Sequence, residues 1–450
     1  MPIPIIQGEK IEFHPNASAI QAAHDFYNLS FEGGADYKNG LDAHGSPVFI
    51  PHEQESAVGT TRRKRLAVFR NYCKPIVEKY NALVFTSPIK RDSENTLFSD
   101  WSKNVDRKGT SFHDFMTDVA LKMQKFGVMY VHVDSTKTAE QRTLGQRRDS
   151  QLYLIKVPPQ SLVNWIEEDG ILTEVIIGYA NRKYVYYTAE FTQVFYCDRT
   201  DTIVNVEEVI PNSVQKLPII KFCLPDNNSQ ISDVAELNKM VFNLDSLLME
   251  ELFKNTFTQF FIAGVQPDDM GSVSLQGRKF ITIKKPNVDI TPVSADAAQA
   301  DSIRTTIDGY TKEMYRCAGL YQPDVLQNTE SGRALKLRMN DVQQIAARIA
   351  DNFETAENKL IEYWATAMNQ SVENTDYPED FQTEDLITEL GMTLDILDSA
   401  LPNTIKRLST EQLSSNLFPK MSDLDKKELL IELESSEPPP PNKNSEEDSQ

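Results

Sequence analysis

RCAGLYQPDVLQNTESGRALKLRMND, residues 316–341, closes one helical pattern and opens another. Pro323 and Asn328 interrupt the periodicity, and the loop from Tyr321 to Ser331 is polar and nearly uncharged. Ser331 is a good N-cap, and Gly332 lets the backbone bend sharply at the start of the next helix. From Leu335 the apolar positions Met339, Val342, Ala346, Ile349, Phe353, Ala356, Leu360, Tyr363 and Ala367 keep heptad spacing, with no Gly or Pro between Arg333 and Tyr377. The spacing predicts one helix of roughly 38 residues, about 57 Å long. A coiled-coil strand is one reading of such a length. Alanines and aromatics along the seam fit a packed protein interior better.

Upstream, Ala300, Ile303, Ile307, Tyr310, Met314 and Cys317 form a helical stripe, and Asp296 and Gln299 have capping-box spacing before it. Three β-branched and aromatic runs precede that helix: Phe257 to Val265, Lys279 to Lys284 and Val288 to Val293, broken by Gly271, Gly277 and Pro286. Before them, Val234, Leu237, Val241, Leu244, Leu248 and Leu252 share one face of a helix of about 24 residues. Pro225-Asp226-Asn227-Asn228-Ser229 marks a boundary.

Five further strand-like runs lie before that boundary: Val128 to Val133, Leu152 to Val157, Leu172 to Tyr179, Tyr184 to Tyr187 and Phe191 to Cys197. They come after two helical patterns, one through Leu66, Phe69, Cys73, Ile76, Tyr80 and Leu83, with Pro75 expected to kink or break it. The other runs through Phe112, Phe115, Val119, Met123 and Phe126. Helices followed by runs of strands, without βα alternation, predict an α+β domain on a mostly antiparallel sheet. The basic run Arg62-Arg63-Lys64-Arg65 reads as a solvated helix face or as an anchor for a partner or nucleic acid. Residues 1–60 are turn-rich around a short amphipathic stretch, Ala19 to Phe26, and read as an irregular arm. Residues 384–434 suggest two or three short helices. The tail SSEPPPPNKNSEEDSQ is too polar and proline-rich to fold.

The chain has 450 residues, with 46 Lys and Arg against 66 Asp and Glu, a net charge of −20. That balance argues against coating nucleic acid by phosphate neutralisation. No stretch is apolar enough to span a bilayer, and MPIPIIQGEK carries no export-signal pattern, so membrane insertion and export are not expected. Cys73, Cys197, Cys223 and Cys317 are far apart in sequence, and each is expected to be a lone buried thiol. Neither a phosphate-cradling glycine loop nor a HExxH or GxSxG motif occurs. No cofactor, metal or catalytic residue is expected.

In the order of its elements and in its residues, the chain resembles the portal (head-to-tail connector) proteins of tailed double-stranded DNA bacteriophages. The likeness rests on Arg316–Asp341, where Ser-Gly-x-Ala-Leu-Lys launches the long helix, and on RRKRLAVFRNYCKPIVEKYNALVF, Arg62–Phe85. VPPQSLVNW, Val157–Trp165, is a weaker third match. It implies an arm at 1–60, a wing at 61–225, a first stem helix at 226–255, a clip of small α/β type at 256–295 and a second stem helix at 296–319. A channel loop at 320–331, a spine helix with the rest of the wing at 332–379, a helical crown at 380–434 and an acidic tail at 435–450 complete it. A short crown and the lack of a long coiled-coil barrel depart from the family pattern.

The resemblance further implies a homo-dodecameric ring at one capsid vertex, in the virion and, during assembly, in the host cytoplasm. Such a ring passes double-stranded DNA and docks the terminase large subunit, major capsid and scaffolding proteins, and then a head-tail adaptor. Gln322, Gln327, Asn328 and Thr329 would be the loop's sliding contacts with DNA. The first stem helix holds Asp233, Glu236, Asp245, Glu250 and Glu251 against Lys239 and Lys254, a net of −3. Asp296, Asp301, Asp308 and Glu313 against Arg304, Lys312 and Arg316 give the second a net of −1. Asp245, Glu250, Asp301 and Asp308 are therefore candidates to give the channel a negative field that repels phosphate. Two competing readings are a metal-dependent nuclease or hydrolase using Asp376, Glu379, Asp380, Glu384 and Asp385, and an elongated coiled-coil scaffold.

Overall fold

A computed structural model of the chain describes residues 2–86, 89–91, 94–135, 152–256, 259–263, 280–283, 289–293, 298–320 and 332–378. Its contacts divide the chain into Met1–Glu379 and Asp380–Gln450, and every described residue belongs to the first unit. The expected crown and acidic tail, and the expected channel loop from 321 on, lie outside the described residues.

The fold is α+β. Its organising junction is the passage from helix to strand at Gly127. The helix before it, Phe112–Phe126 (α6), starts on Ser111, whose Oγ accepts from the Asp114 amide at 3.1 Å, and buries Phe112, Phe115, Val119, Met123 and Phe126. Gly127 ends the helix at φ 83°, its amide donating to the Met123 carbonyl. A Cβ there would sit 2.4 Å from the Asn227 carbonyl oxygen, so both conformation and space require glycine. The chain then enters strand β1 (Val128–Ser135), buried on both faces from Val128 to Val133.

Strand β1 is central in a three-stranded antiparallel sheet, between β2 (Leu152–Val157) and β9 (Ile219–Cys223). A second antiparallel sheet runs in chain order through β3 (Leu162–Glu168), β4 (Ile171–Tyr179), β5 (Lys183–Tyr187), β6 (Phe191–Cys197) and β7 (Ile203–Val206). The short strand β8 (Ile210–Pro211) pairs with β6. Asp169 and Gly170, at φ 51° and 77°, form the two-residue turn between β3 and β4. Positive φ at both positions matches the right-handed twist of a hairpin. Val128, Tyr130, Val157, Val175, Ile177, Tyr187 and Ile219 join the two sheets in one apolar cluster.

Two expectations about the first helices need correction. Residues 62–85 are not one helix but two, α3 (Ala57–Leu66) and α4 (Cys73–Thr86), parted by residues 67–72. Pro75 breaks nothing, because it falls in the first turn of α4, where no intrahelical donor is lost. The N-terminal segment is also more ordered than an irregular cover. It forms α1 (Ala17–Glu32) and a single turn, α2 (Gly34–Tyr37), and buries Phe26, Phe31, Tyr37, Val48 and Phe49. Residues 5–14 lie along the second sheet: the Ile11 amide donates to the Asp201 carbonyl, and the His14 amide to that of Val163. A short helix, α5 (Thr96–Trp101), caps the same body.

After the Pro225–Asn227 turn comes α7 (Ser232–Thr256), then the strands β10 (Gln259–Ala263), β11 (Phe280–Ile283) and β12 (Asp289–Val293). Strand β10 lies between β11, parallel to it, and β12, antiparallel to it. Helix α8 (Ala298–Cys317) then packs on α7 through Ala300, Ile307 and Met314. Gly319, at φ 66°, comes just after it, where a Cβ would meet the Ile345 side chain at 2.3 Å. The predicted long helix is α9 (Gly332–Met368), 37 residues. It packs on β9 and α4 with Ala346, Ile349, Phe353, Ala356 and Leu360 buried, as an interior helix rather than a free coiled-coil strand. The Phe353 ring lies 5.0 Å from Phe222, and Trp364 lies 5.2 Å from Phe98.

Candidate functional site

Among the described residues, the features that bear on function converge on the α7–α8 pair and on the α3 segment that grips it. At 1.5 Å per residue, 25 and 20 residues give helices of about 37 and 30 Å. Both carry the acids named above as candidates for a channel field. Their surroundings differ sharply.

Asp245 and Glu250 are 6% and 8% exposed and face α3 and the segment after it. The Asp245 carboxylate meets the Arg70 guanidinium at 2.8 Å, and Glu250 pairs with Arg62. Burial holds the Asp245 carboxyl above its ordinary range, with Arg70 pulling it back down. The charge of these two acids is thus answered within the chain. Glu236 behaves similarly: it shares Lys239 with Asp42, at 2.9 and 2.8 Å. Burial alone would lower the Lys239 ammonium, but its hydrogen bonds to the two carboxylates outweigh that and raise it.

The basic run divides in the same way. Arg63 is 2% exposed. Its guanidinium donates to the Glu55 carboxylate, to Ser246 Oγ at 2.6 Å and to the Ile50 carbonyl at 2.8 Å, and it lies over the Phe49 ring. Arg62 is taken by Glu250, while Arg65 is exposed and Lys64 half-buried beside Phe49. The four residues do not form one surface patch. Consecutive helical residues are about 100° apart, so a run of four sweeps most of the circumference and one member must turn inward. Helical geometry alone thus required an inward member of the run, and the fold makes it Arg63.

Helix α8 is different. Asp301 and Asp308 are exposed; Asp301 lies 3.4 Å from Arg304, and Glu313 2.5 Å from Arg316. Exposed pairs like these contribute little to stability. Asp296 lies outside the described residues, and within Ala298–Cys317 three acids balance three bases. Ser302, Thr305, Thr306 and Gly309 fill the gaps on the exposed side. The result is a small, polar, sign-balanced surface with no cationic cluster to trap phosphate. On α7, Met240, Leu247, Met249 and Phe253 are 37–47% exposed, more apolar surface than a fully covered helix would leave.

Of the remaining sequence candidates, Gln322, Gln327, Asn328 and Thr329 lie outside the described residues, as do Glu379, Asp380, Glu384 and Asp385. Asp376 is paired with Lys90, through backbone hydrogen bonds and a 3.4 Å side-chain contact. Among the described residues no cluster of three or more His, Cys, Asp or Glu is arranged to hold a metal ion, and no helix is long and apolar enough to cross a membrane. Cys73 and Cys197 are buried as expected; Cys223 is half-buried, and Cys317, the last residue of α8, is exposed.

No protein-family model matches the chain, and no curated protein matches it. Solved structures resemble it at low identity, among them three particle structures. One is the neck of an empty gene transfer agent (GTA) particle computed with C6 symmetry: TM-score 0.46, 11% identity, covering 82% of this chain and 95% of that one. A second is the virion of a native GTA particle: TM-score 0.43, 10% identity, covering 89% and 95%. A third is the neck of a native GTA particle computed with C12 symmetry: TM-score 0.39, 10% identity, with the same coverage.

Proposed function

We propose that this chain is the subunit of a phage portal ring, a twelve-fold conduit for genome packaging and ejection at one capsid vertex. One observation carries the reading. Two long helices, α7 and α8, pack on each other, bracket a separate three-stranded sheet, and are followed by a 37-residue helix that returns into the α+β body. That order supports the reading of stem, clip, spine and wing which the resemblance at Arg62–Phe85 and Arg316–Asp341 implies. A closed ring needs two different faces on each subunit that fit head to tail. The exposed apolar positions of α7 supply surface for such a contact.

In this reading the protein is a structural part, not an enzyme. Chemical work on ATP belongs to the terminase motor that docks on the ring, and capsid, scaffolding and head-tail adaptor proteins meet it at its outer surfaces. The exposed side of α8 suits a conduit because it is polar, of mixed sign and without an arginine cluster, so duplex DNA passing it would not be held by counterion release. The channel-loop residues Gln322, Gln327, Asn328 and Thr329 would brush the duplex without gripping it.

Deleting the gene from the parent phage tests the role. The proposal expects heads that lack packaged DNA, rescue by the chain supplied in trans, and gold-labelled antibody at a single vertex of each rescued head. Packaged heads formed without the chain would contradict it, and so would label distributed over all vertices.

A further inference from the structure

Between the two sheets of the body lies a cleft of about 740 Å³ to which neither the ring reading nor the helix pair gives a task. Its size falls within the range of ligand pockets, about 300–1,000 Å³. Strands β1 and β2 of one sheet, β4, β5, β6 and β8 of the other, residues 212–214 and the C-terminal turn of α9 contribute to its walls, with aliphatic and polar side chains in about equal share. Three tyrosines, one carboxylate and one histidine converge on it: Tyr179, Tyr187, Tyr363, Asp134 and His132.

The chemistry of these groups is one-sided. Asp134 accepts from the Tyr153 hydroxyl at 2.6 Å and from the Ser135 amide at 2.7 Å, and no ion pair joins it to a cation among the described residues. The Tyr179 and Tyr187 hydroxyls are 3.3 Å apart, and the His132 ring stands 4.7 Å from that of Tyr187. His132 is 6% exposed, and its Nδ1 has no hydrogen-bond partner. Burial lowers its pKa to about 4, against the pull of Asp134, so at neutral pH the ring is uncharged and adds no positive charge to the cleft. Burial raises Tyr179 and Tyr363, with the Asp134 charge adding to it and, at Tyr179, the hydrogen bond with Tyr187 offsetting part of it, so both stay protonated at neutral pH. Lys183 is the only lysine or arginine among the lining residues, and no ion pair joins it to Asp134.

A half-buried carboxylate and the exposed ring of Tyr179, in a cleft of mixed aliphatic and polar walls, suit a ligand that is cationic, planar and rich in donors, on an apolar stem. We propose that this cleft binds an arginine side chain presented by a segment of a partner protein. Guanidinium stacks on the exposed Tyr179 ring and pairs with the Asp134 carboxylate. An anionic ligand would meet the Asp134 charge as well as the Lys183 ammonium. The inference does not depend on ring formation, since every residue it uses lies in one chain's body.

The test titrates the full-length chain with Nα-acetyl-arginine amide and with its neutral citrulline counterpart, followed by saturation-transfer NMR and calorimetry. Saturable one-to-one binding is expected for the arginine probe, with the citrulline probe weaker by about tenfold or more, as the loss of one cation–π contact and one charge pair implies. Asp134→Asn should weaken the arginine probe by about tenfold, and so should Tyr179→Leu. Tyr179 is 42% exposed, so its truncation should leave the melting temperature unchanged and keep the test readable if the Asp134 variant unfolds. Glu53→Gln, at an exposed acid elsewhere, should change nothing. Equal binding of the two probes, no saturation with the arginine probe, unchanged affinity in both cleft variants, or an equal loss in Glu53→Gln would each overturn the proposal.

Discussion

Arg91 holds Glu357 in a two-point grip, Nε to Oε1 at 2.7 Å and Nη2 to Oε2 at 3.0 Å, across 266 positions of sequence. Glu357 is fully buried in α9, and its oxygens also accept from the Thr375 and Tyr377 hydroxyls at 3.0 and 2.7 Å. The pair fastens the segment before α5 to the middle of the long helix. Isolated, such a carboxylate could not be buried; with four donors around it, it is a specific clasp.

Removing one partner should therefore cost more than the pair itself contributes. Arg91→Ala leaves the Glu357 charge uncompensated and should destabilise the chain by about 3–5 kcal/mol. Arg91→Met combined with Glu357→Leu should recover most of that loss. Urea denaturation of the three proteins makes the comparison. A double variant less stable than Arg91→Ala would show that the hydroxyl partners, not the charge, hold the site.

The long helix should be equally sensitive to packing. Phe353 is fully buried and Ile349 is 3% exposed. Phe353→Ala opens a cavity costing about 3–5 kcal/mol, and Ile349→Pro removes a helical hydrogen bond and clashes with the preceding turn, costing about 3 kcal/mol or more. Thermal unfolding should show both, while Arg348→Ala, one step round to the exposed side, should stay within about 0.5 kcal/mol.

Acid sensitivity has a specific source in His24. It is 5% exposed in α1, beside the Phe126 ring, and burial lowers its pKa from 6.5 to about 4, partly opposed by a backbone hydrogen bond at Phe126. The unfolded chain takes up the proton first. The stability this group contributes is complete above pH 6.5 and is lost as pH falls from there to about 4. A shift of that size corresponds to about 3 kcal/mol. His24→Gln should flatten the stability–pH curve in that window relative to the parent. An identical slope in both proteins would mean that His24 does not gate acid unfolding.

How far sequence reached depended on how local each signal was. The period of α9 was plain because 37 residues without Gly or Pro repeat it, and β2 and β6 were legible end to end from β-branched and aromatic runs. Strand β9 was missed because Ile219–Cys223 is short and comes straight after Pro218, and its identity comes from pairing with β1, far off in sequence. Strand β3 was hidden by its polar half, Glu167 and Glu168, which face solvent. Charge was the least legible property. Asp245 and Asp308 look alike in a helix written out, yet one is buried against Arg70 and the other exposed, and only the fold of residues 57–70 decides between them.

The loop proposal separates passage from assembly. Asn328→Ala should leave the oligomer intact and alter only how much DNA filled heads retain. The readouts are sedimentation of the purified oligomer and the DNA content of heads from infected cells. Loss of the oligomer in this variant would move residue 328 from a DNA contact to a structural one.

Negative-stain imaging of the purified full-length chain tests the central claim most directly. The account predicts closed rings with a central hole, and twelve-fold symmetry in those recovered from virions. A chain that stays a compact monomer at every concentration and salt condition, or that forms open filaments in place of rings, would contradict it.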